Sequence, residues 1–172
     1  HNGKIRVEGM AAGQLLAADE LAINGGKQTT FGRIYRLRRD LFFVTTAPDT
    51  VEEVAASLAD QAANAESLIT VTDVTHGNAE LWLVGPQAAA LLSRLCGLDF
   101  HDSRFPNGTA KRSSVAKTAQ IIIRRDMVGK QTVPAYTLIG ARSFAAYLWQ
   151  TILAAGRDLS VQPVGQAALI PA

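Results

Sequence analysis

The order of strand-like and helix-like segments constrains the fold of this chain more than any other feature. From Ala79 onward, the spacing of apolar residues predicts a strand, a helix, two strands, a helix and a final strand at 159–164. Pro86 suits the first turn of the first helix, and Gly156 ends the second. A chain that alternates in this way forms a mixed α+β domain.

In the first half of the chain, the sequence predicts part of the same order of strands and helices. Residues 33–38 and 41–46 form a predicted hairpin, and a helix with a capping-box-like pair, Asp49 and Glu52, leads to a strand at 68–74. Strand, strand, helix, strand is the split βαβ pattern without its first strand and helix. We therefore expect two related ferredoxin-like halves, about 33–76 and 77–169, with antiparallel sheets covered by helices.

Residues 1–32 are expected to form an irregular N-terminal arm ahead of a single domain over 33–172. The arm is rich in Gly, Ala and polar residues. Its Gly25-Gly26-Lys27 segment lacks the spacing of a phosphate-binding loop, so we interpret it as a flexible turn.

Composition predicts a soluble protein and excludes several classes. The 172 residues are 48% hydrophobic, and no apolar run approaches the roughly 18 residues that span a bilayer. The net charge of +2 comes from scattered cations, so a nucleic-acid partner is not expected. A single cysteine excludes an internal disulfide and fits a cytoplasmic location.

The sequence contains few side chains that could act as a nucleophile or a general base. His76 and His101 are the only internal histidines, and neither lies in a nucleophile-elbow motif. Cys96 follows Leu95 on an apolar helix face, which favours a core side chain over a nucleophile. The glycine fingerprint of a dinucleotide site is missing, so this chain is expected to bind no cofactor.

Asp73 has two interpretations. It ends the predicted strand on the same face as Ile69 and Val71, which would bring its carboxylate toward the covered side of the sheet. In one interpretation it accepts backbone N–H groups in the following turn, as Asp commonly does. In the other it contacts a ligand.

Five motifs together resemble a known family. They are Asp73-Val74-Thr75-His76, Val84-Gly85-Pro86, Leu95-Cys96-Gly97-Leu98-Asp99, Phe105-Pro106-Asn107-Gly108 and the run from Arg142 to Trp149. Their order and spacing resemble the gamma subunit of heterotetrameric sarcosine oxidase, a small relative of the folate-binding glycine-cleavage T-protein. The resemblance implies a T-protein-like fold and an accessory, non-catalytic subunit of a hetero-oligomer. T-protein relatives carry a similar Asp-Val-Ser-His segment, which implies Asp73 and His76 as ligand-binding residues.

The chain departs from the T-protein pattern at two places. Residues 114–124 contain no glutamate where that family has the one that holds the pterin of tetrahydrofolate, and residues 165–169 lack its Arg-Asp pair. The resemblance therefore implies FAD, FMN, NAD and tetrahydrofolate in partner subunits. A stand-alone folate-binding or aminomethyltransferase-like protein is the alternative, and a binding module with an unrelated ligand is a third.

Two aromatic segments complete the predictions. The loop over 98–108 combines Phe100, Arg104, Phe105 and Pro106, a composition typical of partner interfaces, although the two phenylalanines could instead seal the local core. Trp149 is expected on the buried face of the last helix, together with Phe144, Leu148 and Ile152.

Overall fold

The computed structural model describes residues 2–128 and 131–165, and these form two compact units. The first unit contains the described residues up to Ala79 together with Gly108–Lys111. The second contains Glu80–Asn107 and the described residues from Arg112 onward. The chain thus passes from one unit to the other between Ala79 and Glu80, where the sequence analysis expects halves at 33–76 and 77–169.

The first unit is a five-stranded sheet with one long and one short helix. Its elements are β1 (Asn2–Glu8), α1 (Ala12–Leu15), β2 (Gly26–Thr29), β3 (Gly32–Arg38), β4 (Leu41–Pro48), α2 (Val51–Ala63) and β5 (Thr70–Asp73). The strand order is β2-β3-β4-β1-β5. Strand β1 pairs antiparallel with both β4 and β5, so the last strand and the hairpin lie on opposite sides of it.

The expected irregular arm over 1–32 is therefore corrected. β1 and α1 supply the strand and the helix that the split βαβ pattern lacked, and β2 adds an edge strand where a flexible turn was expected. Ile5 and Val7 are fully buried on one face of β1, whereas Arg6 between them is exposed. The alternation of Ile5, Arg6 and Val7 is typical of a strand, and Lys4 is buried on the opposite face.

The hairpin of β3 and β4 is confirmed, with Ile34 opposite Val44 in its register. The turn before it requires glycine at position 32, because φ is +148° there and a Cβ would collide with the carbonyl of Thr45.

The helix α2 is confirmed, but its predicted capping box is wrong. The helix follows Thr50, and no side chain caps its first turn. Asp49 instead has a left-handed φ of 64°, which directs the chain into the helix. Leu58 packs from α2 onto Ile5, Val7 and the other buried residues of the first core.

The second unit is built on a four-stranded sheet. Its elements are β6 (Asn78–Val84), α3 (Ala88–Leu95), β7 (Ala110–Val115), β8 (Thr118–Arg124), β9 (Met127–Val128), β10 (Thr132–Val133), β11 (Ala135–Ala141) and α4 (Ala145–Ala155), with short 3₁₀ turns at Arg142–Phe144 and Arg157–Leu159. The strand order is β6-β11-β8-β7, and β9 pairs with β10 as a separate ribbon. Helices α3 and α4 supply Leu91, Leu92, Leu148 and Ile152 to a core that also contains Ile122 and Leu138.

The predicted last strand at 159–164 is wrong. Leu159 ends a 3₁₀ turn, and Ser160 then adopts a left-handed φ of 57°. Residues 161–165 have no regular structure, and Pro163 lacks the N–H that a strand would use.

The prediction for the face of α4 is wrong in part. Leu148 and Ile152 are buried as expected, but Trp149 is 40% exposed and Phe144 is 50% exposed. With 3.6 residues per turn, each residue is rotated by about 100° from the one before it. Trp149 therefore lies about 100° around the helix from the buried Leu148, on the flank of α4. No helix in the described parts of the chain combines the length and the apolarity needed to cross a bilayer.

Candidate functional site

The turn that follows β5 contains the two residues predicted to bind a ligand. Asp73 Oδ1 accepts a hydrogen bond from the backbone N–H of Thr75 at 2.8 Å. Asn78 closes the turn by donating from Nδ2 to the carbonyl of Val74 at 2.7 Å. The turn-forming interpretation of Asp73 is therefore confirmed. Its side chain is exposed, in contrast to the covered position expected from strand alternation.

Strand β1 completes this turn through a buried lysine. The backbone N–H of Lys4 donates to Thr75 Oγ1 at 2.8 Å, and the backbone N–H of Val74 donates to the carbonyl of Lys4 at 2.8 Å. The side chain of Lys4 is 2% exposed and its Nζ donates to the carbonyl of Asn2 at 3.0 Å. The sequence analysis missed Lys4 because it assigned this segment to an irregular arm.

Electrostatics keep Asp73 ionised. Desolvation acts to raise the pKa of this carboxyl, but the hydrogen bonds from Thr75 and the charges of His76 and Lys4 outweigh it, and the pKa is lowered. A carboxylate with a lowered pKa is a poor general base near neutral pH. The turn can therefore accept a hydrogen bond through Asp73, but it lacks an acid–base pair tuned to neutral pH.

The other internal histidine lies in a separate local turn. His101 Nδ1 is 2.9 Å from Ser103 Oγ, and the backbone N–H of His101 donates to Asp99 Oδ1 at 2.9 Å. Asp99 thus binds the backbone of His101. The carboxylate of a catalytic triad would instead bind the imidazole ring and orient it. Cys96 is buried, 7% exposed, and belongs to the core as expected.

Arg124 fixes the loop that was predicted to contact a partner. Its Nη1 binds Asp102 Oδ1 at 2.6 Å and the carbonyl of Phe105 at 2.8 Å. Its Nε and Nη2 each bind a carboxylate oxygen of Asp126 at 3.0 Å. The hydrogen bonds to Asp126 raise the pKa of the guanidinium above its ordinary value, even though burial opposes this. Arg124 therefore ties the loop to β8 as a permanent cation.

The two phenylalanines of this loop are core residues. Phe100 and Phe105 are 4% and 0% exposed and stack with ring centroids 5.6 Å apart. Both rings meet Tyr136 edge to face, at 5.6 and 5.9 Å. The expectation that Phe100 and Phe105 face a partner is wrong. Both side chains are buried in the local core of the second unit. Arg104 and Pro106 are the exposed members of the predicted surface.

The segment over 114–124, which departs from the T-protein pattern, contains the end of β7, a tight turn and β8. Ala116 and Lys117, with φ of 48° and 64°, join β7 to β8, and Thr118 Oγ1 donates to the carbonyl of Val115 at 2.8 Å. Two left-handed residues in succession are typical of a two-residue hairpin turn. No carboxylate stands between residues 114 and 124. The second departure, at 165–169, lies outside the described residues except for Gly165.

Across the described ranges 2–128 and 131–165, no group of three or more His, Cys, Asp or Glu side chains is placed to hold a metal ion. The structure brings together Asp73, His76 and Lys4 at the end of one sheet, and Arg124, Asp102 and Asp126 around the loop of the other unit. The sequence signal for the second cluster was Arg124 itself, a cation that continues the buried face of β8.

Solved structures with the same fold include the following two chains. One is a chain of the heterotetrameric sarcosine oxidase from Corynebacterium sp. U-96 in complex with pyrrole 2-carboxylate, with 19% identity, a TM-score of 0.74, and coverage of 95% of this chain and 84% of that one. The other is the glycine cleavage system aminomethyltransferase T from Bartonella henselae, with 22% identity and a TM-score of 0.73. That match covers 98% of this chain but 46% of the aminomethyltransferase.

At these identities the likeness establishes the fold alone, and no curated protein matches the sequence. The match to a family model is more extensive. The model of the GCVT N-terminal domain aligns with residues 6–170, which is nearly the whole chain and includes both units. The resemblance to the T-protein family is thereby confirmed, and the chain belongs to the GCVT N-terminal domain family.

Proposed function

We propose that this chain is an accessory, non-catalytic gamma-type subunit of a sarcosine oxidase-like complex. Such a complex demethylates sarcosine oxidatively and transfers the one-carbon unit to tetrahydrofolate. In this proposal the FAD, FMN, NAD and tetrahydrofolate sites belong to partner subunits. The complex works in the cytoplasm.

The observation that carries the proposal is the β7–β8 turn. In the T-protein family this segment supplies the glutamate that holds the pterin, whereas here Ala116 and Lys117 make a two-residue turn without a carboxylate. A pterin ring offers N–H donors that need an acceptor, and leaving them unpaired costs about 1–3 kcal/mol per buried group. The missing carboxylate therefore supports a chain that leaves folate to a partner subunit.

The remaining polar clusters support the same proposal. Asp73 is occupied by the backbone of its own turn, and Arg124 is occupied by two carboxylates and a carbonyl. These groups stabilise the fold, which leaves no assembled nucleophile, base and orienting group among the described side chains. A member of a catalytic family without such an assembly is suited to a supporting role.

The second candidate is a stand-alone folate-binding or aminomethyltransferase-like protein. It is favoured by the family match over residues 6–170 and by the fold shared with the aminomethyltransferase. The two candidates differ in what the isolated chain binds, so a binding measurement separates them.

Calorimetric titration of the isolated chain with tetrahydrofolate tests the proposal. We expect no saturable binding tighter than about 1 mM, a free energy near −4 kcal/mol. A T-protein titrated under the same conditions serves as the positive control. The isolated chain is also expected to be colourless and inactive on sarcosine. Micromolar folate binding would establish the second candidate instead.

A further inference from the structure

Strand β5 leaves one edge of the first sheet open. It is the last strand in the order β2-β3-β4-β1-β5, so β1 is its one neighbour in the sheet that the structure describes. The backbone N–H of Val74 donates to the carbonyl of Lys4, and in an antiparallel pair such bonds recur at every second residue. Thr72 therefore bonds to β1, whereas the N–H and C=O groups of Val71 and Asp73 point away from it.

The sequence at this edge does not prevent further pairing. Edge strands often carry a lysine or a proline that blocks the approach of another strand, and β5, with the sequence TVTD, contains neither. Leu68, two residues before the strand, is 89% exposed, more than any other large apolar side chain in the described parts of the chain. The edge thus combines open backbone groups with an uncovered apolar side chain.

A groove of about 490 Å³ lies along this edge. One wall is the flank of α2 with Ala59 and Ala63, and the other contains Ile69 and Val71. None of the described residues of β1 lines the groove, which places it on the open side of β5. Residues directly opposite each other on paired strands point to the same face. A residue paired with Val71 from outside would therefore extend its side chain over the groove.

Carboxylates lie at both ends of this edge. Glu66 lines the groove ahead of β5, and it forms no hydrogen bond or ion pair with any residue that the structure describes. Asp73 ends the strand and is exposed. No lysine or arginine is among the described residues that line the groove. A segment that carries a cation beside its apolar residues would complement these charges.

We infer that the open edge of β5 binds, as an added strand, an extended segment of another protein with apolar side chains at alternate positions and a lysine or arginine beside them. Strand addition pairs the backbones and places alternate side chains in the adjacent groove. The inference does not depend on the proposed function. A second copy of this chain fits poorly. In a two-fold pairing about Val71, the Asp73 of one copy lies near the Glu66 of the other, so like charges meet.

Hydrogen exchange of the full chain with a peptide probe tests the inference. The probe is a blocked peptide of alternating valine and threonine with a lysine at each end. We expect saturable binding that slows exchange of the Val71 and Asp73 amides by roughly tenfold or more. The amide of Thr72, already bonded to β1, should change far less. The same peptide with a glutamate at each end should bind roughly tenfold more weakly at low salt.

Two arginine substitutions on α2 test the groove itself. Ala63→Arg places a bulky cation in the groove and should weaken binding of the lysine-ended peptide by roughly tenfold or more. Ser57→Arg is the matched control, because Ser57 is exposed on α2 about 120° around the helix from Ala63 and does not line the groove. It should change affinity less than about threefold. Melting temperatures check that both variants remain folded.

The inference is overturned if the lysine-ended peptide does not bind, or if the amides of Val71 and Asp73 exchange at the same rate with and without it. Equal affinities of the Ala63→Arg and Ser57→Arg variants would also contradict it. A chain that forms a homodimer lost in Ala63→Arg would show that a second copy, and not a segment of another protein, occupies the edge.

Discussion

At the scale of single residues, the strongest polar constraint is the pairing of Arg124 with Asp126. Their side chains are 6% and 9% exposed and meet in a two-pronged geometry. Paired, the two charges compensate each other's desolvation, whereas a single one of them would be buried without a partner. The cation also lies 5.7 Å from the ring of Tyr136, which adds a cation–π contact.

Replacing this cation should be costly. We expect Arg124→Met to lower the free energy of unfolding by about 3–5 kcal/mol, because it leaves the Asp126 carboxylate buried and unpaired. Asp102→Asn is the control on the same network. The side chain of Asp102 is 83% exposed, so its loss should cost below ~1 kcal/mol. Urea denaturation measures both values, and equal losses would contradict this account of the network.

The charge of Asp73 should make stability depend on pH in a defined direction. Its folded pKa lies below the ordinary value of 3.8, so the ionised form stabilises the fold above that pH, and the contribution is lost as pH falls through the folded pKa. Asp73→Asn keeps an acceptor for Thr75 but removes the charge. The variant should be less stable than wild type at pH 7, and the difference should shrink as the pH falls below 3.8 and through the lower folded pKa. A difference that grows on acidification would show that the pKa is raised instead.

At the scale of elements, the loop over 98–108 packs into the core of the second unit through its two phenylalanines. Arg124 binds its backbone, and two of its side chains stack against Tyr136. A long connection without secondary structure is normally mobile, but burial of two aromatic rings restrains this one.

Truncating a ring of this loop should therefore destabilise the isolated chain. Phe105 is fully buried, so Phe105→Ala is expected to cost about 3–5 kcal/mol. Arg104→Ala, at the exposed neighbouring position, should cost far less. Thermal denaturation compares the two. A melting temperature unchanged by Phe105→Ala would restore the interpretation of this loop as a partner surface.

The sequence predicted those elements whose signal is local. Strand β8 at Thr118–Arg124 and the β3–β4 hairpin follow from short runs of β-branched and aromatic residues closed by short turns. Strand β1 was missed because its alternation rests on Ile5 and Val7 alone, and its pairing partners are about 30–70 residues away in the sequence. The burial of Phe105 depends on tertiary packing, which the sequence of a loop does not encode. The exposure of Trp149 follows from helix geometry once Leu148 and Ile152 are known to be the buried residues of α4.

At the scale of the whole molecule, the chain keeps the architecture of its family while its polar groups serve the fold. Both units have an apolar core beneath their helices. The turn at Ala116 and Lys117 contains no carboxylate, and Phe144, Tyr147 and Trp149 are exposed at or beside α4. These features agree with the accessory role proposed above.

Native mass spectrometry of the complex purified from its own cells, combined with a sarcosine oxidation assay, tests this account most directly. We predict that the chain is found bound to larger flavin-containing subunits that oxidise sarcosine, and that the dissociated chain has neither flavin absorbance nor activity. Finding the chain alone, with its own folate-dependent aminomethyltransferase activity, would contradict the account.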